Sequence, residues 1–157
     1  MQNDLSLVSL VLFAAIFLVP VVRSGIPPWI GTVSRIADGD SVEARLWFTQ
    51  RRIRLSGFDA PEWKQAYGRE ARTELVSMIQ NRRVLFFPVG LDRYDRAVCA
   101  VLTLRGPVSW RMVASGAGWA DSIPTALISL FPRLLRRGLW ADRAAMKPSI
   151  WRALNPR

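Results

Sequence analysis

The sequence predicts an α+β fold, a small five-stranded Greek-key β-barrel with about three helices, and three observations predict it. Apolar residues alternate at the strand period between residues 29 and 55 and again between 84 and 104. A helical period separates those two stretches, and further helical patterns follow residue 108. The chain of 157 residues is half apolar, enough for one cored domain and too short for two.

Trp29 to Ala37 reads as the first strand, closed by an Asp38-Gly39-Asp40 turn. Val42, Ala44 and Leu46 then alternate with Glu43, Arg45 and Trp47. After Thr49-Gln50, Ile53 and Leu55 alternate with Arg52 and Arg54, so two more half-buried strands form a hairpin and the first sheet is a meander. Ala71, Leu75, Met78 and Ile79 recur at helical spacing, with Gly68-Arg69-Glu70 opening the helix and Asn81 near its end. Val84 to Val89 and Tyr94 to Leu104 supply the fourth and fifth strands around a Gly90-Leu91-Asp92 turn. Val108, Met112 and Val113 suggest a second short helix, stopped by Gly116 and Gly118. Leu127, Leu130, Phe131, Leu134 and Leu135 lie on one face of a third, which Pro132 should bend or restart. Three strands, a helix, two strands and terminal helices is the order of an OB-fold, a barrel known for binding oligonucleotides.

Residues 5 to 22 form an apolar stretch uninterrupted by charge, just long enough to span a bilayer as a helix. The expected division is therefore a signal peptide or membrane anchor over residues 1–24 and the barrel domain over 25–157. Pro20 and the small residues before Gly25 suit a cleaved export signal. The missing basic start and the basic body after Arg23 suit an uncleaved anchor, and the positive-inside rule would keep that body cytoplasmic. A secreted or periplasmic location and a membrane-anchored one both stay open, as does the side of the membrane.

Twenty arginines and two lysines against twelve acids give a formal charge of +10, which attracts polyanions such as nucleic acid or anionic lipid. Arginine's planar fork can hold two phosphate oxygens, which tilts the reading toward phosphate. The chain has no histidine, excluding histidine triads, histidine zinc sites and histidine bases, so acid–base work falls to carboxylates. The single cysteine, Cys99, lies in an apolar strand and is read as buried.

Asp40 begins one strand and Asp59 follows its antiparallel neighbour, so the hairpin can bring both to one end of the sheet. With Glu62 nearby, these carboxylates, a backbone carbonyl and waters suit Ca²⁺ or Mg²⁺ better than zinc or copper. Arg54, five residues before Asp59, and Arg96, at the start of the fifth strand, would hold a phosphate facing such a cation.

Three segments carry a resemblance: Ile36-Ala37-Asp38-Gly39-Asp40-Ser41, Ile53-Arg54-Leu55-Ser56-Gly57-Phe58-Asp59-Ala60-Pro61-Glu62 and Asp92-Arg93-Tyr94-Asp95-Arg96. In order and spacing they resemble the signature blocks of the staphylococcal nuclease family, over a match from about Val33 to Ala120. Gly138-Leu139-Trp140 and Trp151-Arg152 are similar to the tail of many bacterial members. The resemblance implies a Ca²⁺-dependent endonuclease acting on DNA and RNA with little sequence specificity. In it Asp40, Asp59 and the Ala60 carbonyl would bind the cation, and Glu62 would be the general base. Arg54 and Arg96 would stabilise the transition state, with Asp38 behind the metal ligands and Arg93 and Tyr94 on the substrate. Ala60 stands where the family often has Thr, and the stretch from Ala120 to Trp140 is short, carries Pro124 and Pro132, and lacks a base-stacking Tyr. A monomer is expected, with membrane contact through residues 5–22. Two alternatives are a catalytically silent OB-fold nucleic-acid-binding module tethered to a membrane and a lipid-bound adaptor. The first should lack Arg54, Glu62 or Arg96, and the second leaves the acids unexplained.

Overall fold

A computed structural model describes residues 25–156 of the chain. The N-terminal hydrophobic helix expected within residues 1–24, and the membrane contact expected of it, lie outside the described residues. Among the described residues no helix is long and apolar enough to cross a membrane.

Five strands close the barrel: β1 (Trp29–Ile36), β2 (Ser41–Leu46), β3 (Thr49–Leu55), β5 (Arg83–Leu91) and β6 (Ala97–Thr103), with the short β4 (Phe58–Asp59) between β3 and β5 in the chain. They pair antiparallel in the order β3-β2-β1-β5-β6, and β3 then meets β6 in parallel, Arg54 opposite Val98. That last pairing removes both sheet edges. A bulge between Val33 and Arg35 shifts the β1 register by one residue, so that Val33 and Ile36, three positions apart, both point inward. The core they enter is filled by Val42, Ala44, Ile53, Leu55, Phe86, Cys99 and Val101. Cys99 is buried as expected, and burial pushes its thiol up to about 12.

Helix α1 (Gly68–Ile79) seals one side of the barrel with Ala71, Leu75, Met78 and Ile79, the residues its period singles out. Its chain then turns at Asn81, whose left-handed φ of 58° ends the helix as Asn commonly does, and Asn81 N–H bonds the Val33 carbonyl. Helix α2 (Val108–Ala114) follows a short β7 (Gly106–Pro107), and β8 (Trp119–Ala120) pairs with β4. Next come helix α3 (Ile123–Leu134), a 3₁₀ turn (Gly138–Ala141) and helix α4 (Pro148–Leu154).

Three expectations are corrected. The strand β5 runs on to Leu91 through a bulge between Pro88 and Gly90, and β6 begins at Ala97 rather than Tyr94. The turn therefore covers Asp92 to Arg96, because the Asp92 carboxylate accepts the backbone N–H of both Tyr94 (2.9 Å) and Arg96 (3.0 Å) and wraps the chain around itself. Pro132 does not restart α3, since it lies within the last turn of the continuous helix. The apolar face of α3 is turned outward: Leu127, Leu130, Phe131, Leu134 and Leu135 are exposed, while Thr125, Ser129 and Pro132 are buried. Helices α1 to α4 agree with the expected barrel carrying about three helices, and Pro148 at the first position of α4 is preset for a helical φ.

Candidate active site

The site is built on the hairpin β2–β3 and the loop that follows it. Ser41 pairs with Arg54 in the β2–β3 register, which brings Asp40 beside the Arg54 guanidinium. Asp40 is held where it stands: Leu55 N–H bonds its carbonyl at 2.8 Å and Asp38 Oδ1 accepts its N–H at 3.1 Å. Gly39 lets the turn approach the next loop, since a Cβ there would meet Ala60 Cβ at 2.5 Å. Asp59 is fixed by β4, where it pairs with Trp119.

Arg54 spans the two carboxylates. Its Nη2 lies 2.7 Å from Asp59 Oδ1 and 3.1 Å from Asp40 Oδ2, and Nη1 donates to Asp40 Oδ1 at 3.2 Å. Asp40 is 5% exposed. Burial and the negative charge of Asp38 push its carboxyl up from 3.8 to about 7, with Asp59 adding to the rise and Arg54 and Ser41 opposing it.

Glu62 sits one loop further on. Its N–H donates to Gln65 Oε1 (3.1 Å) while its carbonyl accepts from Gln65 N–H (2.9 Å). The buried Gln65 also donates to the Met146 carbonyl at 2.6 Å, tying the Glu62 loop to the C-terminal segment. That segment delivers a residue given no role from the sequence. Arg152, on α4, places Nη1 2.8 Å from Glu62 Oε1 and Nη2 3.2 Å from Asp59 Oδ2. Its signal was the Trp151-Arg152 pair, which pattern alone could not bring across ninety residues of chain to Glu62.

Arg96 comes from the Asp92 turn. Its Nε and Nη2 both lie 2.7 Å from Asp92 Oδ2, and Nη1 reaches Ser41 Oγ at 3.4 Å, which in turn donates to Asp40 Oδ1 at 2.9 Å. Arg96 is thus linked to the acids through Ser41 rather than by direct contact. Tyr94 is exposed, with the Arg93 and Arg96 guanidiniums 4.8 and 5.5 Å from its ring centre. Asp38, Asp40, Arg54, Ala60, Glu62, Arg93, Tyr94, Arg96 and Arg152 all line one open cleft of about 1930 Å³.

Among the described residues no three acids close on one point as a ready-made metal cage. The donors nonetheless fit a hard divalent cation. Asp40 and Asp59 converge on the same guanidinium, their oxygens are hard ligands, and the open cleft beside Asp40 admits the waters that complete such a shell. Ala60 N–H points at Asp40 Oδ2 (3.4 Å), so the backbone at Ala60 borders the same space.

Fold and rim together define a class: a closed OB-type barrel whose β2–β3 end carries an acid and arginine cluster in an open cleft. The chain belongs to the family described as staphylococcal nuclease homologue, whose model matches residues 52–129. It is 37% identical to "Protein ParB" of Escherichia coli, with 88% of each chain covered. It is 36% identical to an "Uncharacterized endonuclease" of Escherichia coli O157:H7, over 92% of this chain and 95% of the relative. With a "Micrococcal nuclease" of Shigella flexneri it shares 32% identity over 97% of this chain and 95% of the relative.

Proposed function

We propose that the chain is a Ca²⁺-dependent endonuclease that hydrolyses phosphodiester bonds of DNA and RNA with little sequence specificity. One observation carries the reading: Arg54 bridges Asp40 and Asp59, and Arg54 and Asp40 line the same cleft as Glu62 and Arg96. The relatives named endonuclease and micrococcal nuclease support the same class of reaction.

Arg54 and Arg96 approach the cleft from β3 and from the Asp92 turn, so a scissile phosphate lying between them would meet a guanidinium on either side. Both forks would offset charge that grows on the phosphoryl oxygens as the nucleophile adds. Glu62, held at 2.8 Å by Arg152, would take the proton of the attacking water. Asp40, Asp59 and the Ala60 carbonyl would hold the cation, which when bound polarises a phosphoryl oxygen and orients water. Asp38 fixes the Asp40 backbone, and Tyr94, with Arg93 over its ring, offers an aromatic face to the substrate. Contacts of this kind go to phosphate, sugar and π-face rather than to base edges, which is why little sequence preference follows. The apolar stretch of residues 5–22 would carry the domain to or across a membrane.

The test is release of labelled fragments from DNA and from RNA, with Ca²⁺ and with EDTA. Glu62→Gln keeps the shape of the side chain and loses the base, and should slow cleavage by ~10²–10⁴-fold while leaving oligonucleotide binding nearly intact. Wild-type turnover in the Gln chain would remove Glu62 from that role. Binding without cleavage by the native chain would favour the silent module.

A further inference from the structure

The β2–β3 hairpin ends in a feature that neither the barrel nor the catalytic cluster uses. Leu46 pairs with Thr49, so the turn consists of two residues, Trp47 and Phe48. Both are aromatic and both stand in solvent, 84% and 99% exposed. Trp47 also adopts a left-handed φ of 54°, a conformation for which two-residue hairpins select Gly, Asn or Asp. Local backbone chemistry thus argues against Trp here, and among the described residues burial gives it no return. A partner would.

The surroundings say which partner. On β3 the side chains of Ile53 and Leu55 enter the core, so Arg54, Arg52 and Gln50 alternate with them along the outer face from the site to the tip. Arg51 and Arg52 line the same cleft as Arg54, Asp40 and Glu62. Glu43, the acid on β2 opposite Arg52, is engaged most closely by Arg35 and Gln50, each at 2.7 Å, and holds Arg52 Nε only at 3.9 Å. Arg45 and Arg51 carry no ion pair among the described residues. From Arg54 to Phe48 is six residues of strand, roughly 20 Å. A basic track of that length, opening at the scissile-phosphate position and ending on two bare aromatic rings, matches a single strand of nucleic acid. Its backbone would follow the arginines, and its bases would stack on any π-face without regard to sequence.

We propose that Trp47 and Phe48 form a stacking subsite for single-stranded nucleic acid, continuous with the catalytic cleft through Arg52 and Arg51. The proposal rests on the nuclease reading and adds to it a second point of grip, so the enzyme should prefer strands long enough to reach the tip. It also sets a direction: the chain of bases beyond the cut lies along β3.

The experiment uses the full-length chain in detergent micelles, with Glu62→Gln to keep the oligonucleotide intact, and measures affinity for single strands of roughly four and roughly twelve nucleotides. Lengthening the strand should strengthen binding. Trp47→Gly combined with Phe48→Ala should cut the gain from lengthening by about 10-fold, the scale of one or two stacked bases. The glycine relieves the left-handed position, so the melting temperature should hold or rise, which separates lost stacking from lost folding. Leu104→Ala, at another fully exposed apolar side chain, is the control and should leave the length gain unchanged. A double variant that keeps the full gain overturns the subsite and leaves the nuclease reading standing. Failure of the Glu62→Gln chain to bind either strand overturns both. If the double variant loses affinity for vesicles of anionic lipid while its oligonucleotide affinity is unchanged, the tip belongs to a membrane and the proposal is wrong.

Discussion

Three nitrogens of Arg96 are committed to fixed partners, two on one Asp92 oxygen and one on Ser41 Oγ, and this geometry decides what a substitution does. A lysine has one nitrogen and cannot hold Asp92 while offering a second prong to phosphate. Arg96→Lys should therefore be nearly as damaging to cleavage as Arg96→Ala, and retained turnover in the Lys chain would refute the two-pronged role. Arg152 poses the opposite case. It occupies an oxygen of Asp59 and one of Glu62, so a cation bound at Asp59 as proposed would compete with it. With 37% of its side chain exposed the pair is screened, and its release should tighten Ca²⁺ binding only about threefold to fivefold. Calorimetric titration of Arg152→Gln checks this, and unchanged or weaker binding counts against the competition. The residue scale is also where the sequence was most legible. Asp40 and Arg54 are close because adjacent antiparallel strands make them so, and hairpin pairing is a local rule. Arg152 obeys no local rule: its place depends on Gln65 bonding Met146 across 81 residues.

At the scale of elements, periodicity located helices but did not always orient them. In α1 the apolar stripe and the buried stripe coincide. In α3 they are opposed, because the barrel presents the Gly57 carbonyl to this helix, and a hydroxyl answers it: Thr125 Oγ1 donates there at 2.8 Å while sharing the N-terminal cap with Ser122. One polar demand inside thus sends the leucines outside. Leu127→Ser with Leu134→Ser should consequently leave thermal stability within about 0.5 kcal/mol per site, against the several kcal/mol expected had this face been core. Denaturant unfolding decides it. Helix α1 carries a different constraint at its first residue. A Cβ on Gly68 would stand 2.0 Å from the Glu62 carbonyl oxygen and 3.2 Å from that of Trp63. Helix propensity alone would favour Ala over Gly by about 1 kcal/mol. The clash is with backbone and cannot be relieved by a rotamer, so overpacking at roughly 1–3 kcal/mol wins. Gly68→Ala should be destabilised and, because the displaced loop carries Glu62, slower in cleavage than its lost stability explains. A variant as stable and as active as the native chain would show that the loop yields freely.

At the scale of the molecule, a chain of formal charge +10 concentrates Asp38, Asp40, Asp59 and Glu62 at one end of its barrel, and folding stability reports that conflict. The Asp40 carboxyl titrates near 7 when folded, against 3.8 ordinarily, through burial first and Asp38 second. A raised folded value means that the native state binds the proton more tightly than the unfolded chain. The corresponding stability is full below 3.8 and is lost as pH rises through about 7. Without divalent cation, the native chain should thus lose melting temperature between pH 5 and pH 8 relative to Asp40→Asn, which has no proton there to give up. Ca²⁺ should invert the sign, because a cation binds the ionised carboxylate and is favoured as pH rises. At one hundred times its dissociation constant it contributes about 2.7 kcal/mol. For a domain of this size that is roughly 5–10 °C at pH 8. Mg²⁺ at equal concentration should give less, since it asks for a tight octahedron and releases water reluctantly, whereas two carboxylates and a carbonyl make an irregular shell. In Asp40→Asn the Ca²⁺ increment should largely vanish. Thermal unfolding of both chains at pH 5 and pH 8, with Ca²⁺, Mg²⁺ or EDTA, reads all of this without reference to catalysis. A native chain indifferent to Ca²⁺ at pH 8, or an Asn variant with the same increment, would take the cation away from Asp40 and leave the cluster to its arginines.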